Sequence, residues 1–211
     1  MSVTVLIAAR NEERWVAASV RSAFDAGAGE VIVVDAESID RTREIARDGG
    51  ATVIECEPMR ARQFNRGAAV ARGDAIIFLH GDTVLPPGAA AAVEAALQRY
   101  DFGGFRIAFA EDSLKLRLAA FLINLRTRIT RAPWGDQAQF VHRGTAFREM
   151  PLMEDYELAV RMKRRVLLPL AVTTSGRRFL EKGLIRTAVL NWAIILAWRF
   201  GVSAKTLARW Y

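Results

Sequence analysis

The sequence predicts an α/β protein with a mostly parallel central sheet flanked by helices. Over the first hundred residues, short β-branched apolar runs alternate with helix-like segments, the pattern of successive βαβ units. A hydrophobic fraction of 52% in 211 residues is enough for one domain with a sizeable core. These observations favour a Rossmann-like arrangement, in which ligands bind at the carboxyl ends of the strands.

Four strands and three helices account for this alternation. The strands are predicted at residues 3–8, 30–35, 51–56 and 74–79. The helices are predicted at residues 15–26, 39–48 and 60–71. Val16, Val20 and Ala23 recur at steps of three and four residues, so the first helix has one apolar face that can pack on the sheet.

The rest of the chain is predicted to add two strands and four helices. The strands are predicted at residues 105–110 and 166–172. The helices are predicted from Pro86-Pro87 to residue 100, and at 113–131, 153–164 and 183–200. We expect residues 1–182 to form the α/β domain. Residues 183–211 are expected to form a C-terminal helical extension that packs on the domain or lies at a membrane surface.

The last predicted helix is apolar but short. Residues 187–198 are interrupted by Asn191 and bounded by Arg186 and Arg199. A spanning helix needs roughly 20 apolar residues, so this one is predicted to pack on the domain or to lie in a membrane interface. The tryptophans that would then lie near the lipid headgroups are Trp192, Trp198 and Trp210. The basic helix at 115–131 is a second candidate membrane surface.

The net charge of +7 is unevenly distributed. Residues 1–112 contain 12 Lys and Arg against 17 Asp and Glu, whereas residues 113–211 contain 18 against 6. The positive second half can attract phosphate-bearing ligands, nucleic acid or an anionic membrane surface. The single cysteine, Cys56, excludes a disulfide framework and a cysteine-based zinc site. It favours a reducing cytoplasm, and the first residues lack the pattern of a secretory signal.

Polar residues follow three of the predicted strands where those strands end. In chain order they are Arg10, Asn11 and Glu12 after the first strand, Asp35 at the end of the second, and His80, Gly81 and Asp82 after the fourth. Because parallel strands place their carboxyl ends at one edge of a sheet, we expect these residues to meet in one crevice.

Asp82 follows a buried strand and is a candidate ligand of a divalent metal. Mg²⁺ or Mn²⁺ prefers a few protein oxygens together with phosphate oxygens of a substrate. The alternative is that Asp82 caps the helix that begins at Pro86-Pro87. His80 is a candidate second ligand, although a lone histidine after a strand is more often simply hydrogen-bonded.

Other acidic residues are candidates for ligand binding or proton transfer. Asp35 can accept hydrogen bonds from a nucleobase or ribose, and the alternative is an N-cap arrangement that Ser38 and Asp40 can already supply. Glu154 and Asp155 open a helix, where acids are ordinary partners of the helix dipole. If they face the crevice, one of them can act as a general base that removes a hydroxyl proton.

Two basic segments indicate a phosphate-bearing ligand. Arg60, Arg62 and Gln63 lie at a helix start, where positive charge is unfavourable for the helix dipole unless an anion is bound or the arginines are solvated. Residues 173–178 follow a strand and can reach a diphosphate or a membrane surface.

Several blocks together resemble family 2 glycosyltransferases of the GT-A fold. They are residues 8–13, 33–35, 60–67, 79–83 and 153–155. Within that family the chain is similar to a compact bacterial subgroup labelled by association with arsenosugar biosynthesis. The subgroup blocks are Arg-Ala-Arg-Gln, His-Xaa-Asp-Thr, Gly-Asp-Gln, Met-Glu-Asp and Thr-Ser-Gly-Arg-Arg. The resemblance covers essentially the whole chain, and the blocks occur in the family's order.

The resemblance implies an inverting enzyme that transfers a sugar from a nucleotide-diphosphate donor to a small or lipid-linked hydroxyl acceptor. The donor implied is a UDP-sugar, and the alternative is a GDP-sugar. The residues implied for the donor are Ala9, Arg10, Asn11, Glu12, Asp35, Arg60, Arg62, Gln63 and Gly81. Asp82, with His80, would hold Mn²⁺ or Mg²⁺. Asp155, with Glu154 beside it, would be the base. The residues implied for the acceptor or diphosphate side are Asp136, Gln137, Arg177 and Arg178.

Two other function classes stay open on the sequence alone. A non-catalytic nucleic-acid-binding module would explain the isoelectric point of about 10.3. However, Asp35, Asp82 and Asp155 would repel a polyanion, so no nucleic acid partner is expected. A nucleotidyltransferase uses similar sheets and metal-binding acids, but it should carry a glycine-rich basic loop after the first strand. This chain has Ala-Arg-Asn-Glu-Glu at residues 9–13 instead.

Overall fold

The computed structural model describes residues 1–210, with residues 184 and 185 described by their backbone alone. Its eight strands are β1 (Val3–Ala9), β2 (Glu30–Asp35), β3 (Thr52–Glu55), β4 (Ala75–His80), β5 (Thr83–Val84), β6 (Phe102–Phe109), β7 (Phe140–His142) and β8 (Arg165–Thr174). They form one sheet in the order β3-β2-β1-β4-β7-β6-β8-β5. Only β7 and β5 pair antiparallel with their neighbours, so the predicted mostly parallel sheet is confirmed.

Helices flank this sheet on both faces. They are α1 (Val16–Asp25), α2 (Thr42–Asp48), α3 (Arg60–Val70), α4 (Ala89–Leu97), α5 (Leu114–Thr130), α6 (Glu154–Arg161), α7 (Arg177–Lys182), α8 (Leu184–Arg199) and α9 (Ala204–Leu207). A 3-10 helix lies at Gly135–Gln137.

Successive residues of the central strands contribute alternately to two hydrophobic cores, one on each face of the sheet. Val5 and Ile7 of β1 pack with α1 and α4, whereas Leu6 packs with α3 and α6 on the other side. Strands covered on both faces read as continuous apolar runs, which is why β1, β2 and β4 are evident from the sequence.

The differences from the predicted elements have local physical causes. The short strands β5 and β7 are too brief to show a periodic pattern, and α7 and α9 are similarly short. Strand β6 begins at Phe102 rather than at residue 105, because Gly103 and Gly104 weaken the strand pattern. Gly103 is required there, since a Cβ atom at this position would overlap the Phe140 ring. Helix α2 begins at Thr42 rather than at residue 39, after a loop held by side-chain hydrogen bonds of Asp40.

The C-terminal helix α8 contacts α5 and α7 and packs on the domain through a small core of its own. Ile194 and Ile195 are buried there, and the Trp198 ring meets Tyr156 edge to face with the centroids 5.7 Å apart. Trp198 is half-buried and its ring contacts the domain through Tyr156, and the position of the three tryptophans near lipid headgroups stays a prediction. Within residues 1–210, no helix combines the length and apolar composition needed to cross a bilayer.

Candidate active site

A cleft of about 400 Å³ opens at the carboxyl ends of β1 and β4. Its other walls come from the 3-10 helix, the first turn of α6, α7 and α8. Most of the predicted site residues line it, which supports the inference that strand ends converge. These residues are Ala9, Arg10, Glu12, Arg60, Gln63, His80, Gly81, Asp82, Asp136, Glu154, Asp155, Arg177 and Arg178.

Four predicted site residues lie outside the lining of this cleft. Asp35 is fully buried, and its carboxylate accepts hydrogen bonds from the Ser38 N–H and hydroxyl while Arg43 lies 3.8 Å away. Asn11, with a φ of 54°, donates from its N–H to the Ser38 hydroxyl at 2.9 Å. In this structure Asp35 organises the loop after β2 and its oxygens already have protein partners, whereas the N-cap of α2 is Arg41.

Arg62 and Gln137 are also engaged elsewhere. The Arg62 guanidinium pairs with Glu57 and lies 3.4 Å from the Glu149 carboxylate. The Gln137 amide is completely buried, where it accepts from the Thr127 hydroxyl at 2.7 Å and donates to the Phe105 carbonyl. Gln137 therefore holds the 3-10 helix against α5 and β6.

At the floor of the cleft, one guanidinium joins two carboxylates. Nη2 of Arg177 lies 2.6 Å from a Glu12 oxygen and 3.4 Å from Oδ2 of Asp82. Burial raises the pKa of Glu12 and also that of Asp82, while Arg177 opposes both shifts. The second Glu12 oxygen is buried without a hydrogen-bond partner. Two carboxylates thus converge at one point, and Arg177 offsets only part of their negative charge.

These residues fit a divalent cation that is shared with a substrate. The carboxylates of Glu12 and Asp82 converge, and the unpartnered Glu12 oxygen can take a ligand. No group of three or more His, Cys, Asp or Glu side chains within residues 1–210 is arranged to hold a metal ion. A cation here would take one or two protein oxygens and complete its coordination with phosphate oxygens and water, as Mg²⁺ often does.

His80 lies deeper than Asp82 and faces the 3-10 helix. Its Nε2 atom is buried without a hydrogen-bond partner and lies 3.3 Å from the place where a Cβ of residue 135 would stand. Burial, with Arg60 nearby, lowers the pKa of His80 to about 3, so the imidazole is neutral at pH 7. Gly135 leaves room beside both His80 and Asp155, whose Oδ2 lies 3.1 Å from the same Cβ position.

Asp155 is held by backbone N–H groups. Its Oδ2 atom accepts from the Gly135 N–H at 2.7 Å, and its Oδ1 atom accepts from the Tyr156 N–H at 2.7 Å. Glu154 beside it is buried, and its Oε1 atom lies 3.3 Å from the Arg60 guanidinium. Burial, followed by repulsion from Asp155, raises the pKa of Glu154 to about 7. The pair therefore offers one carboxylate fixed by the backbone and one acid that titrates near neutral pH.

Replacing Glu154 by glutamine is expected to change how stability depends on pH. The pKa of Glu154 in the folded protein is above its ordinary value of 4.5. The favourable contribution of this side chain to the free energy of unfolding is therefore complete below pH 4.5 and is lost as pH rises through about 7. Glutamine resembles the protonated acid, so Glu154→Gln should exceed the wild type in stability by about 1–3 kcal/mol in alkaline buffer and match it in acid. Urea unfolding across this pH range tests the difference. A constant difference between the two proteins would contradict it.

Two groups of residues in or behind this cleft were not predicted from the sequence. The Arg126 guanidinium stacks 3.5 Å above the Trp134 ring and donates to the Gln137 amide oxygen at 3.0 Å. Burial lowers the pKa of Arg126 to about 10, although Asp136 and Asp155 oppose the shift. Thr187 and Asn191 of α8 also line the cleft. Asn191 was visible as an interruption of an apolar helix, whereas the Arg126–Trp134 stack depends on tertiary packing that no local pattern shows.

Comparison with known proteins identifies the family. Residues 4–156 match the model of the family described as Glycosyl transferase family 2. A comparison with curated proteins found no match. The subgroup associated with arsenosugar biosynthesis stays a prediction.

Solved structures show the same fold. S. aureus TarS 1-349 is 16% identical, with a TM-score of 0.64 over 83% of this chain and 60% of that chain. TarS 1-349 in complex with UDP-GlcNAc gives a TM-score of 0.63 at 16% identity, over 84% and 59%. Glucosyl-3-phosphoglycerate synthase from Mycobacterium tuberculosis in complex with Mg²⁺ and UDP is 18% identical, with a TM-score of 0.64 over 95% and 80%.

These likenesses confirm the predicted GT-A fold. This chain spans only 60% of the length of TarS 1-349, so the substrates of that longer protein cannot be assigned to this chain from the likeness alone. The family match includes β1 to β4, the loop that carries Asp82 and the first turn of α6 with Asp155. Because it covers well over half of the sequence, the protein belongs to glycosyl transferase family 2.

Proposed function

We propose that the protein is an inverting, metal-assisted glycosyltransferase. It transfers a sugar from a nucleotide-diphosphate donor, a UDP-sugar, to a hydroxyl group of a small or lipid-linked acceptor. The observation that carries this proposal is the meeting of Asp82, Asp155 and three arginines in one cleft, although they come from distant parts of the chain. The arginines are Arg60, Arg177 and Arg178.

The floor of the cleft suits the diphosphate of the donor. A bound Mn²⁺ or Mg²⁺ would neutralise diphosphate charge and stabilise the departing nucleotide. Asp82 would be its protein ligand, with Glu12 beside it. Arg177 already lies within 3.4 Å of Asp82 and can exchange this contact for a phosphate oxygen. The complexes of glucosyl-3-phosphoglycerate synthase with Mg²⁺ and UDP, and of TarS with UDP-GlcNAc, support this choice of ligands.

The opposite wall suits the acceptor. Asp155 is fixed by the N–H groups of Gly135 and Tyr156, so its carboxylate can receive the proton of an acceptor hydroxyl without reorientation. The oxygen that loses this proton would attack the anomeric carbon from the side opposite the departing diphosphate, which inverts the configuration. Glu154 is paired with Arg60 and would position Asp155 and tune its charge. Asp136 borders the same space.

The donor-binding part of the proposal is tested by calorimetric titration with UDP and GDP, each with Mn²⁺ and with a chelator. We expect UDP to bind in Mn²⁺, and the chelator to weaken binding by about tenfold or more, a loss of about 1.4 kcal/mol. GDP should bind more weakly than UDP. Binding of GDP in place of UDP would correct the donor class, and failure of both nucleotides to bind in Mn²⁺ would overturn the proposal.

A further inference from the structure

Helix α5 carries an exposed apolar stripe on the side that faces away from the domain. Its members are Leu114, Leu118, Phe121, Leu122, Leu125 and Ile129, with between 42% and 81% of each residue exposed. At helical spacing they fall within an arc of about 100°, so they form one continuous face. A contiguous apolar face of this size on a globular protein usually marks a binding surface.

The orientation of α5 is fixed by contacts on its other side. The Asn124 amide accepts from the Ile107 N–H and donates to the Ile107 carbonyl, both at 2.9 Å. Leu116, Ala119 and Thr127 are buried against the domain. Rotating the helix to bury the stripe would break both hydrogen bonds to β6 and expose these residues. The exposure of the stripe is therefore a consequence of the fold.

Helix α8 contacts α5 and has an exposed apolar face of its own. Val189, Trp192 and Leu196 are each more than half exposed, and Phe200 at the helix end is 87% exposed. Ile194 and Ile195 fill the core on the opposite side. Two neighbouring helices thus present large apolar side chains to solvent while their inner faces pack.

The charged residues of the two helices that carry these faces are all basic. Residues 113–135 and 182–211 contain no Asp or Glu. Exposed basic residues lie beside both apolar faces, with Lys115 and Arg117 near the start of α5, Arg128 near its end, and Arg186 and Arg199 on α8. Long basic side chains beside an apolar helix face, with tryptophan at the margin, are typical of helices that lie in the interface of an anionic bilayer.

We propose that the exposed faces of α5 and α8 form a docking surface for an anionic lipid bilayer. The apolar side chains would enter the headgroup and acyl boundary, and the arginines would meet lipid phosphates. A second copy of this chain that docks through the same two helices fits less well, because these helices contain lysine and arginine but no acid to pair with them. Nucleic acid would leave the apolar faces uncovered.

Docking would also bring the cleft to within the width of one helix of the lipid surface. Thr187 and Asn191 of α8 line the cleft, while Val189 and Trp192 of the same helix face outward. The acceptor hydroxyl would then belong to an amphiphile held in the bilayer, a consequence that rests on the proposed function. The docking surface itself does not depend on catalysis and can be tested separately.

The test is sedimentation of the full chain with vesicles of phosphatidylcholine alone or mixed in equal parts with phosphatidylglycerol. We expect binding to the mixed vesicles and little binding to the neutral ones. Leu118→Ser/Phe121→Ser should weaken binding by at least about tenfold. Arg117→Gln/Arg128→Gln should lose about fivefold per residue on the mixed vesicles. The matched control, Phe24→Ser/Val70→Ser, changes exposed apolar residues of α1 and α3 and should bind like the wild type.

Three results would overturn the docking surface. They are absence of wild-type binding to mixed vesicles, equal binding by the stripe variant, and a lipid-free dimer that the stripe variant abolishes. Circular dichroism and UDP titration of each variant report whether it is folded. If wild-type UDP binding fails while vesicle binding depends on the stripe, the proposed function is overturned and the docking surface stands.

Discussion

Asp155→Asn is expected to abolish measurable sugar transfer while leaving donor binding intact. The variant keeps the size of the side chain but cannot take up the acceptor proton, and loss of a general base typically lowers kcat by about 10²–10⁴-fold. Asp155 lies at the start of α6, whereas the residues expected to bind the metal and diphosphate, Glu12, Asp82 and Arg177, meet at the floor of the cleft. The affinity of the variant for UDP in Mn²⁺ should therefore differ from that of the wild type by less than about twofold, under 0.5 kcal/mol. Release of UDP from UDP-sugars, with water as the minimal hydroxyl acceptor, measures the turnover.

The variant must be shown to be folded, because Asp155 accepts two backbone hydrogen bonds. An asparagine can accept only one of them through its carbonyl oxygen, at a cost of about 1 kcal/mol in stability. Its melting temperature should therefore fall slightly. Asp25→Asn, at an exposed acid outside the cleft, is the matched control and should keep full turnover. Retained turnover by Asp155→Asn would remove Asp155 from the role of base.

The parallel half of the fold was predictable because its signals are local. Short strands that alternate with helices define β1 to β4, and most of the polar residues after them meet as the topology requires. Strand β7 was not predictable. It has only three residues, and its position between β4 and β6 results from pairing with both strands. Strand β4 lies about sixty residues earlier in the chain, so no local pattern predicts this pairing.

The site was predictable in its residue types but less so in their contacts. The strand-end position of Asp35 is visible in the sequence, but the return of Ser38 and Arg43 to its carboxylate is not. Similarly, Arg177 was assigned to the diphosphate side, whereas its bridge between Glu12 and Asp82 appears only when α7 is placed beside β1. A long side chain can reach several partners, and the tertiary structure determines which of them it contacts. The order of residues in the sequence alone therefore does not predict these contacts.

Asp82→Asn is expected to separate the metal-dependent part of donor binding from the rest. In Mn²⁺ the variant should bind UDP about 10- to 100-fold more weakly, a loss of about 1.4–2.7 kcal/mol, because the cation loses its charged protein ligand. With a chelator, wild type and variant should bind UDP equally, or the variant slightly better, because a negative charge near the diphosphate has been removed. Asp112→Asn, at an exposed acid outside the cleft, should behave as the wild type in both buffers.

The stability of the unliganded variant provides an independent check on the same residue. Burial raises the pKa of Asp82 despite the neighbouring Arg177, so its contribution to stability is complete below the ordinary aspartate value and is lost as pH rises through the shifted one. Asp82→Asn should therefore melt no lower than the wild type at neutral pH without metal, yet it should lose the additional stabilisation that Mn²⁺ with UDP gives the wild type. If the variant instead weakens UDP binding equally with Mn²⁺ and with a chelator, Asp82 contacts the nucleotide directly and is not the metal ligand.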